Sequence, residues 1–233
     1  MEPWTELARA RGPGGETLVL RRCGAAFEIR CNGWELMSNR AHHSEQTLGR
    51  LGCAGLAGGA RVLIGGLGMG YTLRAALDVL PADARVTVAE IFRQVVAWNH
   101  GPLAPLAHHA LDDRRVEMRC ADVAALLDGA AFDAVLLDVD NGPDAAMLAQ
   151  NAALYSCDGL LRLRSALAPG GRLAVWSAAR SPGFEARLAA CGLAWRRMHV
   201  PARRATDDPQ HTLYLATPAG PRPTPMAAAG QCG

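Results

Sequence analysis

Two carboxylates follow closely on each other where a buried strand is expected to end. Asp138 and Asp140 come directly after the apolar run 132–137, which has the length and composition of a strand. Strand ends in an open α/β sheet form the rim where ligands bind. Two acids there could hold a protonated amine and, by removing its proton, free the lone pair for attack on a carbon beside a sulfonium. The alternative is that residues 140–143 form only a turn, capped by Asp138.

A glycine-rich segment precedes these acids in the sequence. Gly66, Gly68 and Gly70 lie between a predicted strand and a predicted helix, where the backbone must turn sharply and come close to a ligand. Glu90 ends the next predicted strand, where a carboxylate can accept hydrogen bonds from both ribose hydroxyls. The pattern predicts a nucleoside site, with a solvated carboxylate at the strand end as the simpler alternative for Glu90.

A third acidic position follows the next strand. Asp122 comes shortly after the predicted strand 116–119, over the expected adenine edge of the site, where it could accept a hydrogen bond from the exocyclic amine. It could also cap the helix predicted over 123–128. The two roles are compatible.

The elements that must position these side chains alternate regularly from residue 61 onward. Short β-rich runs and longer helical runs in turn predict an α/β fold, a Rossmann-like class I methyltransferase-type doubly wound sheet. The last two runs are joined only by a loop and therefore predict an antiparallel last strand. The predicted strands are 61–65, 85–89, 116–119, 132–137, 171–176, 193–200 and 211–217, and the predicted helices are 71–80, 92–99, 155–168 and 183–191.

A small antiparallel β unit is predicted before this domain. Three short runs, 17–21, 26–30 and 34–37, have strand composition, and Asn32-Gly33 between the last two is a strong hairpin signal. A helix is expected to begin near Ser44, which could cap it.

These patterns divide the chain into three parts. Residues 1–48 are predicted to form the β-hairpin unit and a linker, residues 49–217 the Rossmann-like catalytic domain, and residues 218–233 a disordered tail rich in Pro, Ala and Gly.

Composition limits the classes of partner. The net charge is only +2 and the 24 Lys and Arg residues are scattered, so nothing favours nucleic acid or an anionic membrane. No run approaches the roughly 20 apolar residues of a membrane span, and the N-terminus does not resemble a signal peptide, so a cytoplasmic protein is expected. The seven cysteines are widely spaced and His108-His109 has no spaced partner, so no metal site is expected.

Taken in order, these segments resemble the polyamine aminopropyltransferases, the spermidine synthase family. The resemblance covers most of residues 17–217, including the short β unit before the Rossmann-like domain. The segments that carry it are VLIGGLGMGYTLR (62–74), VAEI (88–91), CAD (120–122), LDVDNGP (137–143), LY (154–155) and LAPGG (167–171).

The resemblance implies transfer of an aminopropyl group from decarboxylated S-adenosylmethionine to a small-molecule amine acceptor, with release of methylthioadenosine. It implies that Asp138 is the base and that Asp140 holds the acceptor amine. Glu90 and Asp122 match the ribose and adenine contacts. A homodimer is also implied.

The reacting half of the site departs from the family pattern. The family's glycine loop carries an aspartate that binds the donor's amine, and Met69 stands in its place within the cofactor-binding loop. His43 matches a tyrosine of the family and, with Tyr155, is expected to contact substrate, although a histidine before a helix is more often a surface residue. Two alternatives therefore stay open: a methyltransferase that uses intact S-adenosylmethionine, and a non-catalytic nucleoside-binding relative.

Overall fold

Two β-sheets and six α-helices make up the part of the chain that the computed structural model describes, residues 2–12, 14–144, 149–203 and 209–219. The strands are β1 (Thr5–Arg11), β2 (Thr17–Cys23), β3 (Ala26–Cys31), β4 (Trp34–Ser38), β5 (Arg61–Gly65), β6 (Arg85–Ala89), β7 (Val116–Arg119), β8 (Phe132–Leu137), β9 (Leu167–Ser177), β10 (Leu193–Pro201) and β11 (Gln210–Pro218). The helices are α1 (His43–Cys53), α2 (Tyr71–Leu77), α3 (Arg93–Asn99), α4 (Ala149–Leu154), α5 (Cys157–Ser165) and α6 (Pro182–Ala190).

The N-terminal sheet is antiparallel and has the strand order β1-β2-β3-β4. Its hairpin between β3 and β4 turns at Asn32 and Gly33, whose φ angles of 50° and 85° are both positive, as a two-residue turn of this hand requires. The predicted β unit is therefore confirmed. β1 was not predicted, because it is an edge strand whose residues are mostly exposed and so lacks alternating apolar positions.

The larger sheet confirms the predicted fold class. Its strands have the order β10-β11-β9-β8-β5-β6-β7. β5 to β9 pair in parallel, whereas β11 lies antiparallel to both β9 and β10. The order reverses beside β5, so the carboxyl ends of β5, β6 and β8 meet at the point where ligands bind in open α/β sheets.

Both faces of the large sheet are buried, and for this reason its strands read as apolar runs. In β5, Val62 and Ile64 belong to one core cluster and Leu63 belongs to the other, as the two-residue repeat of a strand requires. Fully buried aromatic side chains, among them Phe184 and Tyr214, pack on the second face.

Helix α1 connects the two sheets and lies unusually close to its neighbours. A Cβ atom on Gly49 would lie 2.4 Å from the carbonyl oxygen of Thr72 in α2, so only glycine permits this approach. The helix begins after His42, and Ser44 lies within its first turn without capping it. α1 also runs across the predicted domain boundary at 48/49, which stays a prediction.

Some helix predictions differ from the structure. The helix predicted over 155–168 is the shorter α5, which begins at Cys157 because Ser156 caps it by accepting a hydrogen bond from the Gly159 amide at 3.2 Å, and α4 ends just before it. The helix predicted over 123–128 is a 3-10 helix over Val123–Leu126. Of the helices described, none is both long and apolar enough to cross a bilayer. Residues 220–233 of the predicted tail lie outside the described residues.

Candidate active site

The glycine loop between β5 and α2 lies against the end of β8. Gly66 has a φ of +89°, and a Cβ atom there would lie 2.1 Å from the carbonyl oxygen of Asp138. The Gly66 amide donates to the Ala89 carbonyl at 2.9 Å, and the Asp138 amide donates to the Gly65 carbonyl at 2.8 Å. The loop is thus held between the ends of β6 and β8, which a side chain at Gly66 would prevent.

The other loop glycines have the same backbone handedness. Gly68 and Gly70 have φ angles of +54° and +82°, and Gly70 is the N-cap of α2. Met69 is only 3% exposed and belongs to the hydrophobic core, yet it also lines the cleft above the loop. The loop therefore presents backbone groups and apolar surface to a ligand, and its side chains carry no charge.

Glu90 is buried at the end of β6. Its Oε2 atom accepts a hydrogen bond from the Leu67 amide at 3.1 Å, and its Oε1 atom accepts one from the Phe92 amide at 2.9 Å. Burial raises the pKa of Glu90, while these backbone hydrogen bonds oppose the rise. The amides of Gly68 and Ile91 also favour the ionised form, so backbone N–H groups from the glycine loop and the end of β6 surround this carboxylate.

Asp122 follows β7 on the same rim. Its side chain accepts a hydrogen bond from the Ala124 amide at 2.9 Å and caps the 3-10 helix that follows. It is half-buried and also lines the cleft. The capping alternative is confirmed, and the second oxygen of the carboxylate is compatible with an adenine contact.

Asp138 and Asp140 both line the cleft just beyond β8. Oδ2 of Asp138 accepts a hydrogen bond from the Thr72 hydroxyl at 2.6 Å. Burial raises the pKa of Asp138, and the bond from Thr72 lowers it in part. Asp140 has a φ of +52°, and its Oδ2 atom accepts a hydrogen bond from the side-chain amide of Asn151 at 2.8 Å. Each carboxylate is therefore held by a polar side chain from a different helix.

Glu45 is a third carboxylate in the cleft with Asp138 and Asp140, and the sequence analysis did not predict it. It lies in the first turn of α1 and lines the same cleft. Burial, and after it the charge of Asp138, raise the pKa of Glu45, and both residues line the same cleft. Helical spacing could have revealed it, because Glu45 lies on the stripe that includes the buried Leu48 and Gly49.

The two predicted substrate contacts lie elsewhere. Tyr155 is 1% exposed and packs edge-on against Phe184 in the core, with its hydroxyl 3.5 Å from the Val139 carbonyl. His43 is half-buried at the start of α1, where its amide donates to the Ala202 carbonyl at 3.0 Å. Neither side chain is among the described residues that line the cleft, so their roles stay predictions.

The cleft has a single sign of charge. The five carboxylates that line it are Glu45, Glu90, Asp122, Asp138 and Asp140, and no Lys, Arg or His is among the described lining residues. Its remaining walls are largely apolar, from side chains such as Leu36, Leu67, Ile91, Phe92, Val123 and Trp176. Over the residues described, no three His, Cys, Asp or Glu side chains are grouped as a metal site would require. Such a cleft suits an organic cation with an apolar or aromatic part.

Comparison with known proteins finds similarity at the level of structure. No protein-family model matches the chain, and no curated protein matches it significantly. A spermidine synthase in complex with the transition-state analogue AdoDATO is 14% identical, with a TM-score of 0.69, and the match covers 92% of this chain and 72% of that one.

Two further spermidine synthase structures are similar to this chain. The spermidine synthase from Thermotoga maritima is 16% identical with a TM-score of 0.69, over 92% of this chain and 73% of that one. A probable spermidine synthase from Corynebacterium glutamicum is 17% identical with a TM-score of 0.58, over 91% of this chain and 79% of that one. At such identities the likeness concerns the fold, and the chain therefore has the fold of the spermidine synthases.

Proposed function

We propose that this protein transfers an aminopropyl group from decarboxylated S-adenosylmethionine to an amine and releases methylthioadenosine. The observation that carries the proposal is the cleft lined by five carboxylates, with no basic side chain among the described lining residues. Decarboxylated S-adenosylmethionine carries a sulfonium and an ammonium, and the acceptor amine is a further cation. All three suit a negative, partly apolar cleft.

The charge of the cleft also favours the decarboxylated donor over intact S-adenosylmethionine. Intact S-adenosylmethionine carries a carboxylate on its amino-acid arm, which would face Asp138 and Glu45 with no cationic side chain among the described lining residues to pair it. The decarboxylated donor has no such group. The complex of a spermidine synthase with AdoDATO supports an adenosyl ligand in this fold.

In the proposed site Glu90 and Asp122 bind the ribose and the adenine, and the glycine loop lies under the sugar. Asp140 holds the acceptor. Asp138, whose pKa is raised toward neutrality by burial, takes a proton from the acceptor amine. The freed lone pair attacks the methylene carbon beside the sulfonium. The carbon–sulfur bond then breaks, and its electron pair stays on sulfur, which becomes the neutral thioether of methylthioadenosine.

The test is incubation with decarboxylated S-adenosylmethionine and a panel of di- and polyamines, with chromatographic detection of methylthioadenosine. We expect amine-dependent release, and Asp138→Asn should reduce turnover by orders of magnitude while retaining donor binding. Glu117→Gln, an exposed carboxylate paired with Arg119 outside the cleft, is the matched control. Absence of release with every amine would contradict the proposal.

The methyltransferase alternative is favoured by Met69, which leaves the loop without a carboxylate side chain for the donor's amine. Calorimetry with intact and decarboxylated S-adenosylmethionine separates the two functions. Tighter binding of the intact donor, with formation of S-adenosylhomocysteine, would establish methyl transfer. Donor binding without turnover of either compound would indicate a non-catalytic nucleoside-binding protein.

A further inference from the structure

The end of the cleft formed by α1 and α2 contains two carboxylates and, among the described residues, no counter-ion. Glu45 reaches it from α1 and Asp138 from the end of β8. The Thr72 hydroxyl lies 2.6 Å from Oδ2 of Asp138 and 3.2 Å from the main-chain carbonyl oxygen of Glu45. Its single proton goes to Asp138 in the shorter contact, and the helix turn that carries Glu45 packs against the same hydroxyl.

A network of buried polar groups orients the Glu45 side chain. The Ser44 hydroxyl donates to Oε2 of Glu45 at 2.5 Å and accepts from Nε1 of Trp176 at 3.0 Å. Nδ1 of His211 lies 2.8 Å from the same hydroxyl oxygen. A hydroxyl has one proton and two lone pairs, so with Glu45 ionised His211 donates from Nδ1 and every position of the Ser44 hydroxyl is used. Ser44 thus uses all three of its hydrogen-bonding positions in the network that orients Glu45.

The pair is electrostatically incomplete without a cation. Burial and the neighbouring Asp138 raise the pKa of Glu45, and burial also raises the pKa of Asp138. Tyr71, whose pKa is raised by burial and then by Glu45, and His211, which contacts the Ser44 hydroxyl, also lie near Glu45. Neither supplies a fixed positive charge, so an ammonium bound by Glu45 would stabilise its ionised form.

Position assigns Glu45 to the donor and not to the acceptor. Glu45 lies at the end of the glycine loop, where its carbonyl oxygen contacts Thr72 in the first turn of α2. Asp140 lies in the turn after β8 and also lines a second cavity beside the cleft, together with Glu16 and Asn32. A donor with its nucleoside on the loop would extend its three-carbon arm past Asp138 to Glu45, while the acceptor approaches by Asp140.

We propose that Glu45, oriented by Ser44, binds the primary ammonium of the donor and leaves Asp138 free to act as the base. The proposal rests on the proposed function. Glu45 on α1 would then supply the negative charge for the donor's ammonium that the uncharged Met69 in the glycine loop does not supply.

Calorimetry with two ligands tests the proposal. Methylthioadenosine has the same nucleoside as decarboxylated S-adenosylmethionine but neither its aminopropyl arm nor its sulfonium charge, so it reports the nucleoside contacts without those of the cationic arm. Glu45→Gln should weaken binding of the decarboxylated donor by roughly 10- to 100-fold and leave methylthioadenosine binding unchanged. Glu117→Gln is the control and should change neither. Equal loss for both ligands, or loss for neither, would overturn the proposal.

Steady-state kinetics adds an independent measurement. Glu45→Gln should raise KM for the donor more than KM for the acceptor. Asp140→Asn should raise KM for the acceptor more than KM for the donor. Ser44→Ala, which removes the hydrogen bond and keeps the charge, should lower donor affinity by less than Glu45→Gln does. A rise confined to the acceptor KM in Glu45→Gln would overturn the assignment.

The outcome distinguishes this inference from the proposed function. If the wild-type protein releases methylthioadenosine but Glu45→Gln keeps its full donor affinity, only the role of Glu45 fails. If the wild-type protein binds the decarboxylated donor no more tightly than methylthioadenosine and shows no turnover, both fail.

Discussion

The Thr72 hydroxyl donates a 2.6 Å hydrogen bond to Oδ2 of Asp138 and so connects the first turn of α2 to the end of β8. Thr72 is 2% exposed, which protects this bond from competition with water. Since burial raises the pKa of Asp138 and the bond lowers it, Thr72 helps to set the pH at which the proposed base is ionised. The glycine loop is therefore continuous in sequence with the residue that lowers the pKa of Asp138.

Replacement of Thr72 by valine should raise the pKa of Asp138 further, because it removes the side-chain hydrogen bond that lowers that pKa. We expect the acidic limb of the kcat/KM profile to move to higher pH and the free energy of unfolding to fall by about 1 kcal/mol. Carbon NMR titration of the Asp138 carboxyl measures the pKa directly. Thr72→Ser retains the hydroxyl and should behave like the wild type, and an unchanged titration in Thr72→Val would contradict the prediction.

Glu45→Gln should stabilise the protein without ligand at alkaline pH. The folded-state pKa of Glu45 is raised, so its contribution to stability is fully present below the unfolded pKa and is lost as pH rises through the folded value. Glutamine cannot ionise and avoids this loss. We expect the variant to exceed the wild type by about 1 to 3 kcal/mol at pH 8, with the difference shrinking as pH falls. Denaturant unfolding across pH measures it, and a difference independent of pH would count against a buried, ionising Glu45.

Gly66→Ala should be far more damaging than the same change at another glycine with positive φ. Gly55 has a φ of +71°, and a Cβ atom placed on it would have nothing within 4 Å, so Gly55→Ala reports backbone strain alone, about 1 kcal/mol. Gly66→Ala adds the clash with the Asp138 carbonyl and should cost about 3 kcal/mol or more. Thermal melts of the two variants provide the comparison. Similar losses would mean that the loop moves away from β8 without difficulty.

Two substitutions of Asp122 separate its capping role from ligand binding. Asp122→Ser keeps an N-cap oxygen, whereas Asp122→Ala loses the bond to the Ala124 amide and should cost about 1 kcal/mol. Both should weaken methylthioadenosine binding if the carboxylate accepts from the adenine amine. Methylthioinosine has oxygen in place of that amine and is the control ligand. Full affinity for methylthioadenosine in Asp122→Ser would restrict the residue to capping.

Much of the larger sheet could be predicted from the sequence because its strands are buried on both faces. Val62, Leu63 and Ile64 contact two different cores, and this produces an apolar run that is visible without structure. β1 gave no such signal, since its residues are mostly exposed at a sheet edge. The start of the predicted helix 155–168 was also misplaced, because capping by Ser156 begins a new helix there.

The sequence by itself determined that three carboxylates of the candidate site lie at one edge of the sheet. Glu90, Asp122 and Asp138 each follow a strand, and parallel strands bring their carboxyl ends to one edge of the sheet whatever the details of packing. That relation depends on local pattern and chain order, both of which the sequence contains.

Only the tertiary structure decided which side chains lie in the cleft beside Asp138 and Asp140. Glu45 meets Asp138 because Gly49 lets α1 lie directly on α2, a contact between distant parts of the chain that no local pattern specifies. Tyr155 lies in the core although it is close in sequence to the rim, because packing against Phe184 directs its ring inward. Direction and distance between elements are properties of packed side chains, so they arise only when the helices dock on the sheet.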